Sequence, residues 1–132
     1  MSDNSLEKIL YIEDEMDIAA IAKIALEDIG GLTLCYCPSG REALEKVTQF
    51  KPNLFLIDVM MPVMDGPTTL GELRKIPEFS KTPVIFMTAK AQASEVKEYM
   101  ELGALSVITK PFDPLTLADV IKTIWSEKVV CV

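Results

Sequence analysis

A handful of polar side chains stand directly behind apolar runs. Glu13 and Asp14 follow Lys8–Ile12, Asp58 closes the run that starts at Leu54, Thr88 follows the run at residues 82–87, and Lys110 comes just after the run at residues 105–108. Taken singly, each has a plain structural use. Asp58 could cap a turn before Pro62. The acidic run at residues 13–15 could be a solvated turn, with Asp17 capping the helix that follows. Taken together they make a chemical set. Three carboxylates that converge need positive charge, and Lys110 brings only one unit. Hard oxygen ligands without imidazole or thiolate suit Mg²⁺. The Thr88 hydroxyl and the Lys110 ammonium are what is needed to hold a phosphoryl group. Asp58, between them, is then the nucleophile.

The chain has no histidine. That excludes a histidine base, a histidine metal ligand, a Ser-His-Asp triad and a phosphohistidine on this chain. Any chemistry here comes from carboxylate, hydroxyl and amine.

These side chains need strands to bring them to one edge. The runs at Lys8–Ile12, residues 32–36, residues 54–57, residues 82–87 and residues 105–108 read as five strands. Between them lie helical patterns. Ile18, Ile21, Ala22, Ala25 and Ile29 follow helical spacing, and Gly30-Gly31 stops that helix. Residues 39–42, Ser-Gly-Arg-Glu, form a capping box opening a second helix, with Ala43, Leu44 and Val47 inward. Residues 51–53 break it. Asp65-Gly66 marks a turn, and Pro67 suits the first position of a helix reaching about Lys75. Met60, Met61 and Met64 are read as packing around this loop. A fourth helix runs from about Gln92 to Leu102. Asp113-Pro114 opens a fifth, with Leu117, Val120, Ile121 and Ile124 on one face and Trp125 packing at its edge. Strands alternating with helices predict a single doubly wound α/β domain, a five-stranded parallel sheet flanked by five helices. In such a sheet the C-terminal strand ends share one edge, where ligands bind.

Composition narrows the function. The 132 residues suit one domain. A net charge of −7 argues against a nucleic-acid surface and matches anionic membranes poorly. No apolar run is long enough to span a bilayer, and the polar N-terminus has no signal-peptide pattern. A cytoplasmic protein is expected. Cys35 and Cys37, two apart on a strand, and Cys131 in a tail read as reduced structural thiols.

The ordered set Glu13-Asp14, Asp58 with Met-Pro-Val-Met-Asp-Gly behind it, Thr88-Ala89 and Lys110-Pro111 resembles the response regulator receiver domains of bacterial two-component signalling, of the chemotaxis-regulator type. The resemblance implies strand order 2-1-3-4-5. It implies a polar tail at residues 1–7, a receiver domain at 8–127 and a C-terminal tail at 128–132. Asp58 would accept a phosphoryl group from a histidine kinase or histidine phosphotransfer protein. Asp14, Asp58 and the backbone carbonyl of Met60 would bind Mg²⁺, with Glu13 acting through a water. Thr88 would reach for the phosphoryl oxygen. Lys110 would pair with Asp58 before phosphorylation and with the phosphoryl after it, and the Lys110–Pro111 peptide would be cis. A downstream protein would read the face made by the fourth helix, fifth strand and fifth helix, near Glu95, Lys97, Val107 and Lys122. No turnover of an external substrate is expected.

Two positions depart from the family pattern. Glu13 stands where a second Asp is usual, and its longer arm still reaches a water. Val107 stands where a Tyr or Phe is usual, so the aromatic readout of that position is missing. Three other readings compete. A receiver fold that only docks is disfavoured by Asp58, Thr88 and Lys110 all being present. A haloacid-dehalogenase-like hydrolase needs a second Asp two residues after the nucleophile, where Met60 stands. A flavodoxin-like module needs a phosphate cradle after the first strand, where residues 13–15 would repel phosphate. The apolar residues 129–132 favour a continuation of the chain or a docking tail.

Overall fold

In the strands, even-numbered and odd-numbered residues pack into two separate cores, because side chains alternate across a sheet. The computed structural model describes residues 5–90 and 92–130. Residues 1–4 of the expected polar tail, and Cys131 in the other, lie outside these. The sheet has five parallel strands: β1 (Lys8–Ile12), β2 (Thr33–Cys37), β3 (Leu54–Asp58), β4 (Val84–Thr88) and β5 (Ser106–Thr109). Their order is 2-1-3-4-5, as expected. The helices are α1 (Met16–Lys23), α2 (Gly40–Phe50), α3 (Gly66–Arg74), α4 (Ala93–Glu101) and α5 (Leu117–Trp125). Wider π-type turns carry α1 on through Ile24–Ile29 and α5 through Ser126–Val130. No described helix is long and apolar enough to cross a membrane.

One core lies under α2, α3 and α4. Leu10, Ile12, Phe55, Ile57 and Phe86 meet Val47, Leu73 and Tyr99 there. The other lies under α1 and α5, where Ile9, Tyr11, Leu54, Leu56 and Ile85 meet Ala22, Ala25, Ala118 and Ile121. β3 and β4 are buried along their whole length, which is why they read as unbroken apolar runs.

Several local expectations are corrected. Asp17 does not cap α1; Glu15 holds the N-cap position and Asp17 sits in the first turn. The inward stripe of this helix is Ala19, Ala22, Ala25 and Leu26, while Ile21 and Ile29 are exposed. Small side chains win that face because the helix ends close to α5. A Cβ on Gly30 would stand 2.5 Å from the Ala118 Cβ. For the same reason Ala118 faces inward on α5 and Val120 is exposed. Asp113 forms a turn, accepting from the Leu115 amide at 2.9 Å, and α5 itself starts at Leu117. Ser39 does cap α2, accepting from the Glu42 amide at 3.2 Å.

The loop behind β3 stores strain. Val63 has φ 68° and is fully exposed. A β-branched residue in the left-handed region is a steric outlier, and Val63 buries nothing that would offset the cost. Val63→Gly is expected to stabilise the chain by about 1 kcal/mol. Urea unfolding should show a higher midpoint at unchanged slope; a lower midpoint would contradict the strain.

Candidate phosphoacceptor and metal centre

Strand register builds the site. Ile12 pairs with Ile57 and Asp58 with Met87, so the residue after Ile12 comes level with Asp58. Glu13 continues the parity of Ile9 and Tyr11, Asp58 that of Leu54 and Leu56, and Lys110 that of Ile108. All three therefore emerge on the α1–α5 side of the sheet edge. Thr88 continues Phe86 on the other side.

The ammonium of Lys110 lies 2.9 Å from Asp58 Oδ1 and 3.1 and 3.4 Å from the two oxygens of Glu13. Asp58 is 2% exposed and Glu13 not at all. Burial, then the neighbouring Asp58 charge, pushes the Glu13 carboxyl up to about 7, against the pull of Lys110. Burial likewise raises Asp58, with Lys110 opposing. For Lys110, burial works against its charge, but its bonds to Asp58 and Glu13 outweigh this and hold it above its usual value. The Lys110–Pro111 peptide is cis.

Glu13 is held at other points as well. Its carboxylate accepts from the Glu15 amide at 3.3 Å. Its carbonyl accepts from the Tyr36 hydroxyl at 2.6 Å. The Tyr36 ring packs on that of Tyr11, 5.9 Å between centroids. Neither tyrosine was singled out from sequence, although Tyr11 shares the parity of Glu13.

The acidic group fits a hard cation. Glu13, Asp14 and Asp58 each place one oxygen so that all lie within 4.8 Å of one another. Asp14 Oδ1 and Asp58 Oδ2 are buried without a hydrogen-bond partner. Such orphaned oxygens are costly unless something positive meets them, and an all-oxygen set is what Mg²⁺ takes. Met60, 68% exposed, lines the mouth of the site. A cleft of ≈ 640 Å³ opens on Asp58, walled by Ile18, Ile21, Met60, Pro111 and Phe112. Ile18 and Ile21 thus face this cleft rather than the core.

Thr88 is the member held apart. Its hydroxyl donates to the Lys90 carbonyl and accepts from the Lys90 amide, both at 3.1 Å. Farther out, the ring of Tyr99 on α4 packs at a tilt against that of Phe86 on β4, 5.4 Å between centroids, beside the half-buried Val107. Lys122, expected on the α4–β5–α5 face, is instead committed to the end of α1, donating to the Gly30 carbonyl at 2.7 Å.

The raised carboxyl sets a pH dependence. Below its unfolded value near 4.5, Glu13 is protonated in both states and its share of stability is fully present. As pH rises, the unfolded chain releases the proton first, so stability falls until Glu13 ionises in the folded state near 7. In chelator, the melting temperature should fall from about pH 5 to about pH 8, and Mg²⁺ should flatten the fall. A metal-free protein that gains stability over that window would refute this.

Comparison with known proteins agrees with the fold. The model of the response regulator receiver domain matches residues 9–122. A probable transcriptional regulator, ycf27, of Porphyridium aerugineum is 39% identical over 118 residues, which is 89% of this chain and 48% of that protein. The chain thus spans about half the length of that regulator. An uncharacterized 14.6 kDa protein of Leptolyngbya boryana is 32% identical over 114 residues, 86% of each chain. Among solved structures, chemotaxis protein CheY4 of Vibrio cholerae superposes with TM-score 0.83 at 28% identity, over 91% of this chain and 99% of that one. Phosphorylation-dependent signalling is general to these domains. With its strand order, its acidic edge and this match over most of its length, the chain belongs to the response regulator receiver domain family.

Proposed function

We propose that residues 8–127 act as a phosphorylation-driven switch in which Asp58 is the phosphoacceptor. The observation that carries this reading is the state of the Asp58 carboxylate. It is buried, one oxygen is held by Lys110 at 2.9 Å, and the other has no partner. A carboxylate in that state is oriented for attack and incompletely neutralised. An Asp58 oxygen bonds to the phosphorus of a partner's phosphohistidine as the P–N bond breaks. The imidazole keeps that electron pair and takes a proton from solvent. The apolar cleft above Asp58 gives the partner's histidine-bearing surface a place to seat.

Asp14, Asp58 and the Met60 carbonyl would hold Mg²⁺, with Glu13 acting through a water, as its commitment to Lys110 suits. Bound there, the ion neutralises phosphoryl oxygens. Lys110 stabilises the transferred group from its other side. Thr88 has to give up Lys90 to donate to a phosphoryl oxygen, and that exchange couples the β4–α4 loop to the chemistry. With Val107 in β5, the aromatic contact next to this loop is Phe86–Tyr99. The α4–β5–α5 face, with Glu95, Lys97 and Val107, then differs between the two states and is offered to a downstream protein.

Incubation with acetyl phosphate and Mg²⁺ tests the reading. Intact mass should show one added phosphoryl group, absent in EDTA. A chain that gains none under these conditions, nor from any kinase in a transfer panel, would leave the docking reading in its place.

A further inference from the structure

The first turn of α3 lies against the backbone that carries Asp58. Gly66 opens that helix and is buried. A Cβ on it would stand 2.6 Å from the Asp58 carbonyl oxygen, 2.9 Å from the Val59 Cα and 3.2 Å from the Asp58 carbonyl carbon. All three are main-chain atoms, so none can rotate out of the way. Among the described glycines only Gly31 and Gly103 have positive φ. Position 66 therefore calls for glycine because of space, not because of an unusual backbone. The Gly66 amide also donates to the Val59 carbonyl at 2.8 Å.

This contact reaches the site in one step on either side. Val59 is pinned twice: its amide donates to the Met87 carbonyl at 2.9 Å, and its carbonyl accepts from Gly66. The residue before it is Asp58. The residue after it is Met60, whose carbonyl would complete the oxygen set for Mg²⁺. α3 has little freedom to retreat. Asp65 caps it, accepting from the Thr68 amide at 2.8 Å. Thr69 is fully buried against α2, where a Cβ on Gly40 would collide with the Thr69 hydroxyl. Leu70 and Leu73 anchor the rest of the helix in the core. A side chain at position 66 would thus be accommodated by the end of β3, and the Asp58 carboxylate would shift against Lys110, now 2.9 Å away. Mg²⁺ takes its oxygens in a nearly fixed octahedron, so small shifts of these groups matter.

We propose that Gly66 is a positioning residue for phosphoryl transfer: by letting α3 lie directly on the peptide between Asp58 and Val59, it sets where the Asp58 carboxylate and the Met60 carbonyl stand. The inference rests on the phosphoacceptor reading of Asp58. It gives α3, which supplies no group to the site, a share in how well the site holds its ion.

The test is Gly66→Ala in the full chain, with Gly71→Ala as the control. Gly71 lies on the same helix, is exposed, and a Cβ there meets nothing within 4 Å. Alanine is the better helix former, so Gly71→Ala should melt higher than wild type and leave Mg²⁺ affinity and labelling unchanged. Gly66→Ala should bind Mg²⁺ about ten-fold more weakly, or worse, when the metal-free chain is titrated. At saturating Mg²⁺ its labelling by acetyl phosphate should slow by about ten-fold or more, since a misplacement of about 1 Å can cost about a hundred-fold. Joining the two substitutions should recover stability in chelator but neither of the other losses, which separates position from stability. Affinity and labelling within about two-fold of wild type in Gly66→Ala would overturn the proposal. So would recovery of both in the double variant, or an unfolded chain in single and double variant alike, because the glycine would then serve the fold and not the site. A wild-type chain that takes no phosphoryl group would overturn the phosphoacceptor reading instead, and Mg²⁺ affinity would still decide the role of Gly66.

Discussion

Asp58→Asn is expected to take no phosphoryl group from acetyl phosphate and, at about pH 8, to unfold at a higher temperature than wild type. The two effects have one origin. Asn keeps the shape of Asp and can still accept from Lys110 through its carbonyl, so the packing around β3 is undisturbed. It lacks the negative oxygen that attacks phosphorus, so labelling should be lost entirely rather than reduced. Burial and its acidic neighbour Asp14 disfavour the charged form of Asp58 more than Lys110 favours it, which is why its pKa is raised. Removing that charge relieves the site, and Lys110 keeps Glu13 as its partner. A gain of about 1 kcal/mol would appear as a few degrees in melting temperature. Thermal unfolding in chelator, beside intact-mass measurement after acetyl phosphate, reads both. Residual labelling would move the phosphoacceptor elsewhere. A lower melting temperature would mean that the Asp58–Lys110 pair outweighs the crowding of carboxylates.

The strands were legible because burial on both faces leaves little choice of residue. Leu54–Asp58 and Val84–Thr88 are apolar up to their last position, and the polar residue at the end of each marks the edge that meets solvent. Register did the rest, since parallel strands bring all such ends together. The direction of side chains at that edge was harder to read. Thr88 lies on the opposite face from Asp58 and satisfies its hydroxyl within its own loop, a local competition that spacing does not reveal. α1 misled for a different reason. Its isoleucines follow helical spacing, but the face nearest the sheet is filled by Ala19, Ala22, Ala25 and Leu26, and Ile18 and Ile21 line the cleft. Tyr11 reads as one more strand residue, although it is fully buried and shares the strand parity of Glu13. Lys122 shows the same limit: its long arm could serve either neighbour of α5, and the carbonyl at the end of α1 took it.

Lys110→Met should cost far more than any other lysine substitution in the chain. The Lys110 side chain is 9% exposed, that of Asp58 3% and that of Glu13 not at all. Methionine keeps the apolar stem and removes the one ammonium that these two carboxylates share. Breaking a buried pair from one side leaves its partner charged and uncompensated, a loss of about 3–5 kcal/mol. Two further signs identify the cause. The loss should be smaller near pH 5 than near pH 8, because Glu13, already raised to about 7, then escapes its charge by keeping a proton. It should also be smaller with millimolar Mg²⁺, which brings positive charge to the same oxygens. Lys51→Met supplies the control. Lys51 meets Glu78 at 2.9 Å, as close as Lys110 meets Asp58, but their side chains are 62% and 44% exposed. At that exposure water does most of the neutralising, and the change should stay within about 1 kcal/mol at either pH. Equal costs for the two lysines, or a Lys110→Met loss indifferent to both pH and Mg²⁺, would mean that the buried ammonium is not what balances the acidic edge.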